Sequence, residues 1–186
     1  MKSVFKNAAV LLAITLVAAV VLSFVYELTK EPIARVEQAA KAEAYGQVYV
    51  DADFANLENE AKRLSAYNAT LSGGTAVEEI LLANGADGTH LGYAVAVSAK
   101  GYAGDVKIAL GIDRTGKVVG YTVLAHNETP GFGANAQNAD VREQFIGITA
   151  ADQLDGIAGA TYTTTALKNA TQAAIDLVKE IEGEKP

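Results

Sequence analysis

Asp155-Gly156-Ile157-Ala158-Gly159-Ala160-Thr161 gathers a carboxylate, two glycines and a hydroxyl just ahead of Tyr162 and the threonines Thr163 to Thr165. A Gly-Ala-Thr turn that opens a helix lets backbone N–H groups approach a phosphate closely, and the helix dipole favours the negative charge there. A hydroxyl in that place can hydrogen-bond the phosphate or be esterified by it. The same residues also fit a plainer role, because threonine is a common helix N-cap and Thr161 or Thr163 would serve. On this segment alone both readings stand.

A second loop, His126-Asn127-Glu128-Thr129-Pro130-Gly131-Phe132-Gly133-Ala134, has a comparable mixture. Pro130 restricts the chain, while Gly131 and Gly133 permit positive φ. Small residues beside a carboxylate and a hydroxyl make a loop that can lie flat against a ring system and offer it backbone N–H and C=O. The plainer alternative is an exit loop from a sheet with Glu128 solvated. His126 reads as a loop residue and His90, with no partner visible in the sequence, as a structural or solvated one; Tyr93, Tyr102 and Tyr121 read as sheet packing. Tyr162 stands beside the candidate acceptor.

Composition narrows the chemistry. The 186 residues contain no cysteine and only two histidines. Disulfides, iron–sulfur clusters and thiolate zinc sites are excluded, and a multi-histidine metal site is not expected. Redox work would need an organic cofactor or partner subunits. A net charge of −7 argues against nucleic acid as a partner, since phosphate backbones need a cationic footprint.

The elements that must position the two loops follow from periodicity. Ala8–Val25 is apolar except for Thr15 and Ser23. At the helical rise it spans roughly 27 Å, close to a hydrocarbon core. It is longer than a usual signal-peptide h-region and no A-x-A site follows, so an uncleaved single-pass anchor is expected. Lys2 and Lys6 suit a cytoplasmic N-terminus, although Lys30, Arg35 and Lys41 behind the anchor leave the charge count undecided. Pro32 marks the expected end of that helix.

Ile33–Tyr49 reads as a further helix, and Phe54, Leu57, Ala61 and Leu64 suggest a short one. Val77–Leu82 fits a strand or a helical turn. Strands are expected at 93–98, 106–112 and 117–124, joined by Gly-containing turns into an antiparallel meander. A short helix at 140–145 and a long one at 164–181 follow. The sum is an α+β domain with its helices packed on one face of the sheet.

The two loops in this order, with GYAGDVKIALGIDRTGKVVGYTVLAHNETPGFG and DGIAGATYTTTAL around them, resemble the FMN-binding domain of membrane ion-pumping oxidoreductases. The nearest likeness is to the FMN-binding G subunit of the Rnf-type ion-translocating electron-transport complex. The C subunit of the sodium-pumping NADH:quinone reductase is a more distant relative. The likeness covers about residues 88–180, and Thr29, Pro32 and Ile33 match a T-x-x-P-I segment behind the anchor.

That resemblance implies FMN held through a phosphoester on Thr161, placed there by an extracytoplasmic flavin transferase that takes FMN from FAD. It implies cofactor contacts from Glu128, Thr129, Gly131 and Gly133 in the first loop, and from Asp155, Gly159, Ala160 and Tyr162 in the second. Thr163 or Thr164 then takes the capping role. Ala158 stands where the family usually has Ser or Thr, and Phe132 where it has Leu.

The implied domains are a cytoplasmic tip and anchor over 1–30, a helical connector and less defined region over 31–84, and an FMN-binding domain over 85–186. The implied function is an electron relay between ferredoxin oxidation and NAD⁺ reduction, coupled to Na⁺ or H⁺ movement. Such a subunit has no complete active site of its own and no metal. Its partners are the membrane and iron–sulfur subunits of the complex, and its FMN domain lies outside the cytoplasmic membrane. Three alternatives remain: a flavin-free assembly module, a stand-alone FMN-domain reductase, and a counterpart of the C subunit in a sodium-pumping NADH:quinone reductase.

Overall fold

The computed structural model describes residues 2–183, and the chain divides into two units, Met1–Lys41 and Ala42–Pro186. The first consists of helix α1, Lys2–Val48, up to the boundary. Its large side chains from Val10 to Leu28 are exposed all round, and it is the one described helix long and apolar enough to cross a membrane, with mean hydropathy 2.8. A helix apolar on every side is stable where its surroundings are apolar too. Two of its hydroxyls are satisfied internally: that of Thr15 donates to the Leu11 carbonyl and that of Thr29 to the Val25 carbonyl.

The helix does not stop at Pro32, as the sequence suggests it should; Pro32 lies inside α1. The ring costs one backbone bond, to the Leu28 carbonyl, and helix-forming residues on both sides carry the helix past it.

The second unit is built on a five-stranded antiparallel sheet in the order β1-β2-β3-β4-β5. The strands are β1 Asp53–Asn56, β2 Ala76–Asn84, β3 His90–Lys100, β4 Asp105–Asp113 and β5 Val118–Ala125. The expected meander is β3 to β5. Two further strands precede it: Phe54 belongs to β1 rather than to a helix, and Val77–Leu82 is strand. The sheet thus takes in residues on both sides of position 84. Helix α2, Glu60–Asn68, fills the β1–β2 connection.

Period-2 alternation along β3 and β4 separates large from small side chains. Tyr93, Val95, Val97, Ile108, Leu110 and Ile112 join one buried cluster with Leu167, Ala170, Ala174 and Leu177 of the last helix, Thr161–Gly183. The opposite face carries Ala94, Ala96 and Ala109 and is covered by Tyr45 and Val48 at the end of α1. Helices therefore flank both faces rather than one. The second face admits a helix end because Gly111 and Gly120 are paired across β4 and β5, and a Cβ on either would run into the Val48 backbone. Helix α3, Ala139–Phe145, packs beside β5, where Phe145 stacks on Tyr121 at 3.7 Å between ring centroids. The helix from Thr161 is α4. The Tyr121 hydroxyl donates to the Ala136 carbonyl, and burial pushes its pKa up. Tyr93 and Tyr121 are sheet-packing residues, as expected.

Candidate functional site

Three segments converge at one end of the sheet: the β3–β4 hairpin at 101–104, the loop after β5 at 126–134, and the turn leading into α4. Between them lies a cleft of about 410 Å³, lined by Tyr102, Glu128, Thr129, Phe132, Gly133 and the run from Gly159 to Thr163. That volume falls within the usual range for a small-molecule or cofactor site.

Two turns of one design shape the walls. In Thr129-Pro130-Gly131-Phe132 the Phe132 N–H donates to the Thr129 carbonyl, with Gly131 at φ 79°. In Ile157-Ala158-Gly159-Ala160 the Ala160 N–H donates to the Ile157 carbonyl, with Gly159 at φ 73°. Each has glycine at the third position, where a type II turn requires positive φ. The turns meet directly: a Cβ on Gly159 would lie 3.0 Å from the Phe132 ring.

Glu128 binds the three segments together. Its Oε1 accepts the N–H groups of Tyr102 at 2.9 Å and Ala103 at 3.0 Å, and its Oε2 accepts the Thr163 hydroxyl at 2.5 Å. The side chain is buried, contrary to the solvated alternative. Gly101 and Gly133 have no Cβ because the carboxylate fills that space; one on Gly133 would also meet the Thr163 hydroxyl. A buried carboxylate is tolerable when charge-assisted hydrogen bonds satisfy it, and this one has three. His126 contributes from the flank, its Nδ1 accepting the Glu128 N–H at 3.2 Å.

The threonines at the start of α4 divide sharply in use. Thr163 is buried and committed to Glu128. The Thr164 hydroxyl accepts the Ile157 N–H at 2.9 Å and donates to the Ala160 carbonyl. That of Thr165 donates to the Thr161 carbonyl. Of these four, Thr161 alone is both exposed and without a hydroxyl partner among the described residues. It is the first residue of a helix of 23 residues whose first turn contains no acidic side chain. The first N–H groups of such a helix have no intrahelical acceptor and face an anion favourably. Hydroxyl, helix N-terminus and aromatic walls together suit a phosphate-bearing planar cofactor. Among the described residues no cluster of His, Cys, Asp and Glu could hold a metal.

Of the residues singled out in the sequence, Thr161, Glu128, Thr129, Gly133, Gly159, Ala160 and Tyr162 line the cleft. Gly131 shapes its turn without lining it. Asp155 borders a separate small recess with Phe145 and Leu167. Ala158 is exposed and outside the lining, so its missing hydroxyl takes nothing from the cleft wall.

Tyr102 corrects the expectation of sheet packing: it is 73% exposed at a hairpin tip, 5.9 Å from the Tyr162 ring. Its place between two strands, outside the alternating pattern, was the available signal. Phe132 and Thr163 are further lining residues. His90 is neither solvated nor isolated, for it lies against Tyr93 with Nε2 3.5 Å from Glu182.

Fold and cleft together make this an α+β domain with a cofactor-sized cleft, following an apolar helix in the chain. Residues 101–176 match the family described as FMN-binding domain, and residues 1–48 match the RnfG N-terminal region. The G subunit of the ion-translocating oxidoreductase complex of Aliivibrio fischeri MJ11 is 31% identical over 195 aligned positions, covering 94% of this chain and 90% of that protein. The G subunit of the Na(+)-translocating ferredoxin:NAD(+) oxidoreductase complex of Acetobacterium woodii is 31% identical, covering 86% and 77%. The proton-translocating counterpart of Clostridium ljungdahlii is 30% identical over 106 positions, and the chain spans 57% of its length. The chain belongs to the G-subunit family of Rnf-type ion-translocating oxidoreductase complexes.

Proposed function

We propose that this chain is a membrane-anchored flavoprotein subunit that carries FMN on Thr161 and relays electrons within an ion-translocating ferredoxin:NAD⁺ oxidoreductase. The observation that carries this reading is the unspent Thr161 hydroxyl at the N-terminus of α4, beside three threonines whose hydroxyls are all engaged. Esterification there places a phosphate where helix N–H groups and dipole favour it. A flavin transferase would join the FMN phosphorus to Thr161 Oγ1, break the FAD pyrophosphate bond, and release AMP and the hydroxyl proton.

When bound, FMN supplies one- and two-electron transfer. The residues of this chain hold, orient and shield it: Thr161 fixes the phosphate end, and the Gly131 and Gly159 turns bring the walls together. Electron transfer by the flavin asks no acid or base of the cleft side chains, and the chain is read as a carrier without a complete active site. The Ala8–Val25 run has no ionisable residue and a lone helix has no pore, so ion passage belongs to other subunits. Membrane and iron–sulfur subunits are the partners for electrons. The FMN domain is assigned to the outer side of the cytoplasmic membrane, with the N-terminus inside.

The test is in-gel flavin fluorescence after denaturation, with the cognate transferase co-expressed. Wild type and Thr163→Val should fluoresce and Thr161→Ala should not; a fluorescent Thr161→Ala would overturn the assignment.

A further inference from the structure

Tyr102 and Tyr162 are 73% and 68% exposed, yet their rings face each other with centroids 5.9 Å apart and planes tilted by 48°. They line the same cleft as Thr161 but come from different segments, the β3–β4 hairpin and the first turn of α4. One side chain ties the two segments together. Glu128 Oε1 takes the Tyr102 N–H, and Oε2 takes the hydroxyl of Thr163, the next residue after Tyr162. Both carboxylate oxygens are thereby occupied, and Gly101 and Gly133, lacking a Cβ, leave the space that the carboxylate fills.

We infer that Tyr102 and Tyr162 are positioning residues, an aromatic platform for the isoalloxazine ring. Glu128 acts through them by setting the spacing of their two segments rather than by touching the flavin. This rests on the FMN reading above. Planar aromatic groups favour offset or tilted partners at about 4.5–7 Å, and a tilted pair at a cleft mouth offers such faces to an entering ring. A platform also explains why two large rings are left in water at this point, when a folding core had every reason to bury them.

The experiment uses the full-length flavinylated protein in detergent, with flavin content fixed first by intact mass. Iodide quenching of flavin emission, per bound flavin, and the flavin midpoint potential are then measured. In Tyr102→Leu and Tyr162→Leu the quenching constant should rise at least about twofold, because a flavin face no longer covered by a tyrosine ring is open to iodide, with a shifted potential. Tyr102→Phe and Tyr162→Phe should stay near wild type. Glu128→Ala should behave like the leucine variants, and Glu128→Gln, which keeps an oxygen for the two N–H groups, like wild type. Leucine variants with wild-type quenching and potential would overturn the platform, whether or not Glu128→Ala folds. A wild-type protein without covalent flavin would instead overturn the FMN reading itself.

Discussion

Thr163 donates its hydroxyl to Oε2 of Glu128 at 2.5 Å, joining residues 35 positions apart and tying the start of α4 to the loop after β5. The bond uses up a hydroxyl that the sequence leaves free to cap the helix, and makes Thr161 the unspent one. Replacing Thr163 by Val keeps the shape and removes a buried charge-assisted bond, which should cost about 1.5–3 kcal/mol. Chemical denaturation of the purified chain should show that loss, with Thr163→Ser close to wild type and flavin attachment retained in both.

The contact between Gly159 and Phe132 separates backbone strain from crowding. Gly159→Ala introduces a Cβ at φ 73° and 3.0 Å from the Phe132 ring, so destabilisation of about 1–3 kcal/mol is expected. Adding Phe132→Ala should recover the crowding part alone. A double-mutant cycle in thermal unfolding should therefore show coupling between the two sites with incomplete rescue.

The turn between β4 and β5 should give part of the acid limb of stability. Burial pushes the Asp113 carboxyl up, but bonds from the Thr115 hydroxyl and the N–H groups of Lys117 and Thr115 outweigh it and hold the pKa below 3.8. A carboxylate depressed on folding contributes stability above its unfolded pKa and loses it as pH falls through the folded one. The stability gap between wild type and Asp113→Asn should be constant near neutral pH. It should close below about pH 3.8, a change read from urea midpoints across the acid range.

Legibility in the sequence follows the range of the interactions. Strands β3 to β5 and helix α4 announce themselves because alternation and the 3.6 period are local, and Thr161 and Glu128 stand in glycine-rich loops. Strand β1 has four residues and a largely exposed pattern, so Phe54 carries no usable period. Pro32 reads as a helix end by a rule that neighbouring helix formers override. The Glu128–Thr163 bond and the Tyr102–Tyr162 pair are tertiary, set by how three loops meet, and no spacing in the chain encodes them.

The glycines under the end of α1 make a separate prediction. A Cβ on Gly120 would enter the space of the Val48 backbone, so Gly120→Val should push the last turn of α1 off the sheet and cost at least about 1–3 kcal/mol. Hydrogen exchange should then rise at residues 44–48, while the cleft-forming loops keep their protection.

One hydroxyl among four is assigned the flavin, and peptide mass spectrometry of the chain co-expressed with its transferase locates the attachment directly. The peptide spanning Thr161–Lys168 should carry the mass of FMN less one water, with fragment ions placing it on Thr161 and none on Thr163, Thr164 or Thr165. A flavin found on any of those three, or an unmodified peptide from a chain exposed to active transferase, would contradict the assignment.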